Sequence, residues 1–229
     1  MTQRILITGA NRGIGLELVK AYAARGDEVL ACCRSPDAAT ELAAVAGAVT
    51  LLEVQVSDQD SVARLAETLA GRAVDTLINN AGTLGPAYED QSLLKMDFDG
   101  WNEAFAVNTL APVRVMQALL PNLRASSNPR LVNITSQMGA ISLDMTVAYA
   151  YCCTKAALNK FMKLAAVELG AEGINVCLIH PGWVRTDMGG PGADISPEES
   201  AAGIVRTVEK LNAKTNGSFW KWNGETHDW

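Results

Sequence analysis

The segment that most constrains the fold of this chain is Thr8-Gly9-Ala10-Asn11-Arg12-Gly13-Ile14-Gly15, which joins an apolar run at residues 4–7 to a segment of helical period at residues 13–25. Glycines at a strand–turn–helix junction permit a tight turn, close approach of a ligand to the backbone, and close packing of helix on strand. The N–H groups at the helix start, added to the helix dipole, favour a pyrophosphate, so the turn is read as a phosphate cradle. The rest of the chain keeps the same rhythm. Short β-rich runs at residues 28–32, 49–54, 76–78, 130–134, 175–179 and 218–221 alternate with helical segments at 37–46, 58–70, 98–124, 148–169 and 197–211. Several of the runs are continuously apolar, as parallel strands covered on both faces must be. Strand, helix and strand repeated in this way predict right-handed crossovers and an α/β doubly wound parallel sheet, in one domain over residues 1–229.

A chain of 229 residues suffices for one large core rather than two. Nineteen basic and twenty-five acidic residues leave a net charge of −6, which argues against a nucleic-acid partner. A local basic patch can still hold one phosphorylated ligand. The sequence passes from Met1-Thr2-Gln3-Arg4 straight into Ile5-Leu6-Ile7, leaving no room for a leader, and its apolar stretches are too short to span a bilayer. Cys32, Cys33, Cys152, Cys153 and Cys177 do not fit zinc spacing, and their odd number fits reduced thiols. The expectation is a cytoplasmic protein with no metal and no membrane attachment.

A second signal lies at Tyr151-Cys152-Cys153-Thr154-Lys155, where a phenol and an ammonium stand one helical turn apart. A lysine beside a tyrosine favours the phenolate and is expected to lower a pKa ordinarily near ~10. A tyrosine so tuned can exchange protons near neutral pH. The spacing alone is common in helices; its weight comes from the glycine turn at the other end of the chain.

The glycine pattern G-x-x-x-G-x-G, followed in order by Asn79-Asn80-Ala81-Gly82, Asn108, Ser136, Tyr151, Lys155 and Pro181-Gly182, resembles the short-chain dehydrogenase/reductase family. The resemblance runs from Thr8 to about Thr186, and its branch is similar to the sniffer-like and C-factor-like carbonyl reductases. It implies a Rossmann-type fold with sheet order 3-2-1-4-5-6-7, a nicotinamide dinucleotide, and reversible reduction of a ketone or aldehyde to an alcohol. Members occur as monomers, homodimers or homotetramers, often pairing through the two long helices, here residues 98–124 and 148–169.

The cofactor is expected to be NADP(H). A 2′-phosphate needs cations, whereas a free 2′-hydroxyl suits an acid. The acid of NAD-preferring relatives is absent at Cys33, Arg34 follows at once, and Arg12 lies inside the glycine turn. Arg34 as a plain solvated charge is the alternative. By resemblance the dinucleotide is met by Gly9, Asn11, Arg12, Gly13, Ile14 and Gly15, by Gln55 and Val56 near the adenine, and by Asn80, Ala81 and Gly82, with Asn80 structural as much as ligand-facing. Pro181, Gly182, Val184 and the Thr186 hydroxyl resemble the groups that anchor the nicotinamide carboxamide.

Ser136 could hydrogen-bond a substrate carbonyl and stabilise charge developing on its oxygen. Tyr151 would donate the proton, and Lys155 would tune the tyrosine and hold the nicotinamide ribose. Asn108 matches the family asparagine that kinks a helix and fixes a water beside the lysine. Fourteen residues separate Ser136 from Tyr151 where the family commonly has twelve, so Tyr149 competes for the acid role. Tyr149 and Lys155, six apart, point to different helix faces, and residues 139–146 can absorb the insertion; Tyr151 is therefore assigned. His180 is read as structural. Trp183, Met188 and residues 83–96 are pocket walls, and segments 83–97 and 187–196 are compatible with lids or plain loops. Trp220 and Trp222 pack on the core or form a partner interface. A nucleotide-bound signalling or scaffold protein with little turnover is the alternative function.

Overall fold

The computed structural model of the protein describes residues 2–229. Its strands β1 (Arg4–Thr8), β2 (Glu28–Cys33), β3 (Val49–Glu53), β4 (Thr76–Asn79), β5 (Arg130–Ile134), β6 (Asn175–His180) and β7 (Ser218–Lys221) form one parallel sheet in the order β3-β2-β1-β4-β5-β6-β7. β1 pairs with β2 on one side and β4 on the other, Ile7 lying opposite both Ala31 and Ile78. The winding direction reverses there, opening a crevice at the carboxyl ends of β1 and β4.

The helices are α1 (Gly13–Ala24), α2 (Thr40–Ala43), α3 (Gln59–Thr68), α4 (Phe98–Phe105), α5 (Ala111–Arg124), α6 (Tyr149–Ala171) and α7 (Pro197–Glu209). Side chains alternate across the pleat, so each strand feeds two cores. Ile5 and Ile7 join Leu18, Val19, Tyr22, Ile179 and Ile204 beneath α1 and α7. Leu6 joins Leu30, Leu77, Leu119, Leu158 and Met162 beneath α3, α5 and α6. Burial on both faces is why these strands read as unbroken apolar runs, each fully buried Leu or Ile contributing roughly 1.5–3 kcal/mol.

Two helical segments depart from the expected bounds by more than two residues. The helix expected at residues 37–46 shrinks to α2, after a 3-10 turn at Pro36–Ala38. Ala39, at φ −88° and ψ 63°, breaks the helical path, and Leu42 is the one fully buried apolar side chain in α2 to hold it. The long segment at 98–124 divides into α4 and α5 at a π turn, Ala106–Leu110, that contains Asn108. Pro112 carries no N–H, so the Asn108 carbonyl four residues back has no α-helical donor. α6 starts after Ala148, which sits in the left-handed region at φ 49°. At α7 the expected start holds: Ser196 and Glu199 close a capping box over Pro197.

Trp220 and Trp222 both pack against the core on the α1/α7 side, which supports the packing reading. The chain turns at Lys221–Gly224, where the Gly224 N–H donates to the Lys221 carbonyl (3.0 Å) and Gly224 has φ 89°. A Cβ built at Gly203 of α7 would fall 2.6 Å from the Trp222 carbonyl oxygen and overlap its ring. Gly203→Ala should therefore cost about 1–3 kcal/mol and lower the melting temperature by roughly 2–4 °C per kcal/mol. An unchanged melt by scanning calorimetry would show that this contact is slack.

Candidate active site

The glycine turn is held by the loop after β4. Gly9 has φ +67°, and a Cβ there would stand 2.8 Å from the Ala81 Cα, so both conformation and space demand glycine. A Cβ at Gly15 would meet the Gly9 carbonyl and, at 2.6 Å, the Asn80 amide nitrogen. The Asn80 side chain donates to the carbonyls of Thr8 (3.0 Å) and Gly9 (3.1 Å). Thr8 Oγ1 in return accepts from the backbone N–H of Asn80 (3.1 Å) and Ala81 (3.2 Å). Asn80 is thus a brace of the turn, its side chain committed to protein carbonyls.

The entry to α1 fits a diphosphate. Its N-cap, Arg12, is extended at φ −160° with no side-chain cap bond, and no acid lies in the first turn. α3, α4 and α7, by contrast, are capped by Asp58, Asp97 and Ser196. Gly13 (φ +54°) and Ile14 follow Arg12 at this open end, with Asn11 exposed before it. The Arg12 guanidinium pairs with Asp187 at 2.6 Å, both side chains being more than two-thirds exposed. Arg34 stands exposed past the end of β2, and Cys33, the last residue of that strand, is buried. Gln55 turns its amide to Ser57 Oγ (3.0 Å), and the Val56 carbonyl accepts from Arg114 (3.3 Å).

The catalytic candidates converge from β5, the π turn and α6. A Cβ at Gly139 would lie 2.7 Å from the Lys155 carbonyl carbon, so the turn after Ser136 lies directly on α6. Asn159 locks the two together, accepting from Thr135 Oγ1 (2.6 Å) and donating to the Gly139 carbonyl (3.1 Å). Ser136 Oγ accepts from the Met138 N–H at 3.1 Å. The Lys155 ammonium donates to the Ile134 carbonyl at 3.0 Å and lies 5.8 Å from the Tyr151 ring centre. Tyr151, Lys155, Ser136 and Asn108 are all buried. Asn108 donates to the Thr83 carbonyl (2.8 Å) and Thr154 Oγ1 (3.0 Å), and its Oδ1 accepts from the Thr83 N–H (2.9 Å). Tyr149, half-buried at the first residue of α6, is not the tyrosine beside Ser136.

Burial corrects the electrostatic expectation. The Tyr151 phenol is pushed up to about 12 by desolvation, with the neighbouring Ser136 hydroxyl pulling the other way, instead of being lowered by Lys155. Lys155 is itself pushed down to about 8 by desolvation. His180, next to the Pro181-Gly182 loop, is pushed down to about 4 by burial and then by His227 and Lys221, which suits a neutral structural group.

Loop 181–196 is closed on its own stem. Trp183 Nε1 donates to the Gly189 carbonyl (2.8 Å), Arg185 to the carbonyls of Ala193 and Asp194, and Val184 bridges to Ile195. Thr186 Oγ1 donates to the Val184 carbonyl (3.3 Å) and accepts from the Gly189 N–H (3.2 Å), so its hydroxyl shapes this turn. Its methyl would meet a Cβ at Gly13 at 3.2 Å, which places Thr186 beside the glycine turn. Sequence reading missed Asn159 and Thr154. A polar residue four positions past Lys155 on the same helix face was the available signal.

Asn80→Ala should remove the two bonds to the turn carbonyls and cost about 1–3 kcal/mol, read as a lower urea midpoint. An unaltered midpoint would separate Asn80 from the turn.

The comparisons with known proteins agree with this geometry. The family model described as short chain dehydrogenase matches residues 3–194. The C-signal protein of Myxococcus xanthus is 39% identical over 157 residues, covering 68% of this chain and 93% of that protein. The NADPH-bound carbonyl reductase from chicken fatty liver superposes with a TM-score of 0.90 at 31% identity, covering 100% of this chain and 99% of the other. Carbonyl reductase Sniffer of D. melanogaster superposes with a TM-score of 0.91 at 30% identity over 100% of both chains. The match spans the glycine turn and the first six strands of the sheet, and the chain belongs to the short-chain dehydrogenase family.

Proposed function

We propose that the protein is an NADP(H)-dependent carbonyl reductase that interconverts a ketone or aldehyde and its alcohol, with Tyr151 as proton donor. The observation that carries this reading is the meeting of Ser136, Tyr151 and Lys155 beside a helix start that no side chain caps. The bound dinucleotide supplies the hydride. The N–H groups of the Gly13–Gly15 turn would receive its diphosphate, and Arg12 and Arg34 would receive the 2′-phosphate. NADPH in the similar chicken reductase supports the choice of cofactor.

Ser136 Oγ accepts from Met138, and its O–H, which faces the Tyr151 phenol, would turn to the substrate oxygen when a carbonyl enters between them. Tyr151, held at about 12 by burial, is fully protonated at neutral pH and so carries the proton the product alcohol needs. Lys155 spends one N–H on Ile134 and has two left for the ribose hydroxyls. Its charge stabilises the phenolate that remains after proton transfer. The Asn108 amide is committed to Thr83 and Thr154. Its main-chain carbonyl, which Pro112 cannot serve, is therefore the group that holds the relay water.

Purified protein should oxidise NADPH against a panel of ketones, aldehydes and quinones. Tyr151→Phe should lower kcat by roughly 10²–10⁴, whereas Tyr149→Phe should keep most of it; the reverse result would sink the assignment. NADPH binding without turnover on any carbonyl would instead favour a nucleotide-bound signalling role, the alternative raised by the C-signal relative.

The pH profile has a definite sign. Raising pH through about 8 removes the Lys155 proton and with it the charge that supports the phenolate, while Tyr151 at about 12 stays protonated. kcat/KM for NADPH, which reports the free enzyme, should fall above about pH 8. A profile flat to pH 10 would contradict this.

Asp187 competes with the 2′-phosphate for Arg12. An exposed pair contributes about 0.2–1 kcal/mol, so Asp187→Asn should tighten NADPH binding by roughly 1.4- to 5-fold and leave NADH binding unchanged. Equal effects on both cofactors would remove Arg12 from the 2′-phosphate site.

A further inference from the structure

The start of α6 lacks a cap of its own. Ala148 precedes it in the left-handed region (φ 49°, ψ 50°), its methyl group can accept nothing, and no acid lies in the first turn. N–H groups at a buried helix start need acceptors from elsewhere. Two of them are satisfied by a residue sixty positions away: the Gln91 carbonyl accepts from the Tyr149 N–H at 3.2 Å, and Gln91 Oε1 accepts from the Tyr151 N–H at 3.1 Å. The same amide turns its Nε2 into segment 83–97, donating to the carbonyls of Pro86 (2.5 Å) and Leu84 (3.3 Å). Gln91 is completely buried, and both of its donors and its acceptor are engaged.

We infer that Gln91 is a positioning residue for the reaction: it caps the helix that carries Tyr151 and ties that helix start to the segment walling the substrate side. The inference rests on the proton-donor role proposed for Tyr151. The two ends of the catalytic turn are held differently. Lys155 is anchored from the sheet by the Ile134 carbonyl and packed under Gly139. Tyr151 lies in the first turn, where a helix frays, and its own backbone is tied down by Gln91. Gln91 is itself fixed, because it bridges to Met96 and the Asp97 N–H donates to the Asp90 carbonyl, closing a small loop around it. Leu93 and Leu94, both exposed, ride on that loop. The loop and the Tyr151 backbone are therefore tied to one amide.

Gln91→Met and Gln91→Glu separate the two halves of that amide. Methionine removes acceptor and donors; glutamate keeps an acceptor for the Tyr151 N–H and loses the donors to Pro86 and Leu84. Full-length wild type and both variants would be compared by NADPH affinity, steady-state kinetics on one carbonyl substrate, and hydrogen exchange of the amides at residues 149–151. NADPH affinity should stay within about twofold for both, since the glycine turn is untouched. Gln91→Met should lower kcat by at least about tenfold, as displacement of a catalytic group does, and speed exchange at residue 151, whose acceptor it removes, by a similar factor. Gln91→Glu should recover kcat to within about threefold and keep the amides protected, while KM stays raised in both variants. A merely structural glutamine would lower the melting temperature and leave kcat and exchange as in wild type, which would overturn the inference. Gln91→Glu losing as much kcat as Gln91→Met would overturn it too, and if Gln91→Met does not fold, a fall in kcat of tenfold or more in Gln91→Glu does the same. Should wild type reduce no carbonyl, the proposed function fails by itself, and exchange at residues 149–151 still decides whether Gln91 is the cap.

Discussion

The approach of Gly9 to the backbone of Ala81 is the constraint on which the rest of the structure depends. A Cβ at Gly9 would stand 2.8 Å from the Ala81 Cα, so the turn after β1 and the loop after β4 meet backbone to backbone. That closeness lets Asn80 and Ala81 donate four hydrogen bonds to Thr8 and Gly9 across the crevice. The start of α1 follows this turn, and its N-cap residue Arg12 makes no side-chain cap bond. From the same crevice wall, Gly82 and Thr83 lead to Asn108 and on through Thr154 to α6. Cradle and catalytic turn are thus parts of one packed edge of the sheet.

Burial decides the electrostatics of that edge. A tyrosine and a lysine one turn apart suggest a lowered phenol, and in solution the ammonium would dominate. Here both groups are withdrawn from water, and desolvation moves each toward its neutral form: the phenol up to about 12, the ammonium down to about 8. The titrating partner near physiological pH is then the lysine, and the tyrosine is a reservoir of one proton. A buried lysine without a carboxylate partner is costly to hold, and Ile134 offsets part of that cost with its carbonyl.

Much of this was legible in the sequence, for physical reasons. All seven strands appear at their expected places, within a residue or so at their ends; the inner ones, such as β1, β2 and β6, are buried on both faces and read as apolar runs, while the edge strands β3 and β7 are only partly buried. The glycine turn was legible since no other residue fits its conformation. Residues 37–46 were misread because alanine-rich segments have helical propensity even where little buried surface stabilises a helix. The commitment of the Thr186 hydroxyl to its own turn and the elevated Tyr151 pKa depend on burial and on long-range neighbours, which spacing does not encode. Gln91 left no local trace, since its partner at Tyr151 is sixty residues away.

The most direct test of the central claim is isotope transfer. NADPH deuterated at the transferring position of C4 would be turned over with the best carbonyl substrate, and the product alcohol examined by mass spectrometry and NMR. One deuterium on the carbinol carbon, with a primary isotope effect on single-turnover rate, is the expected result. Stoichiometric NADPH binding with no deuterium delivered to any carbonyl would contradict it.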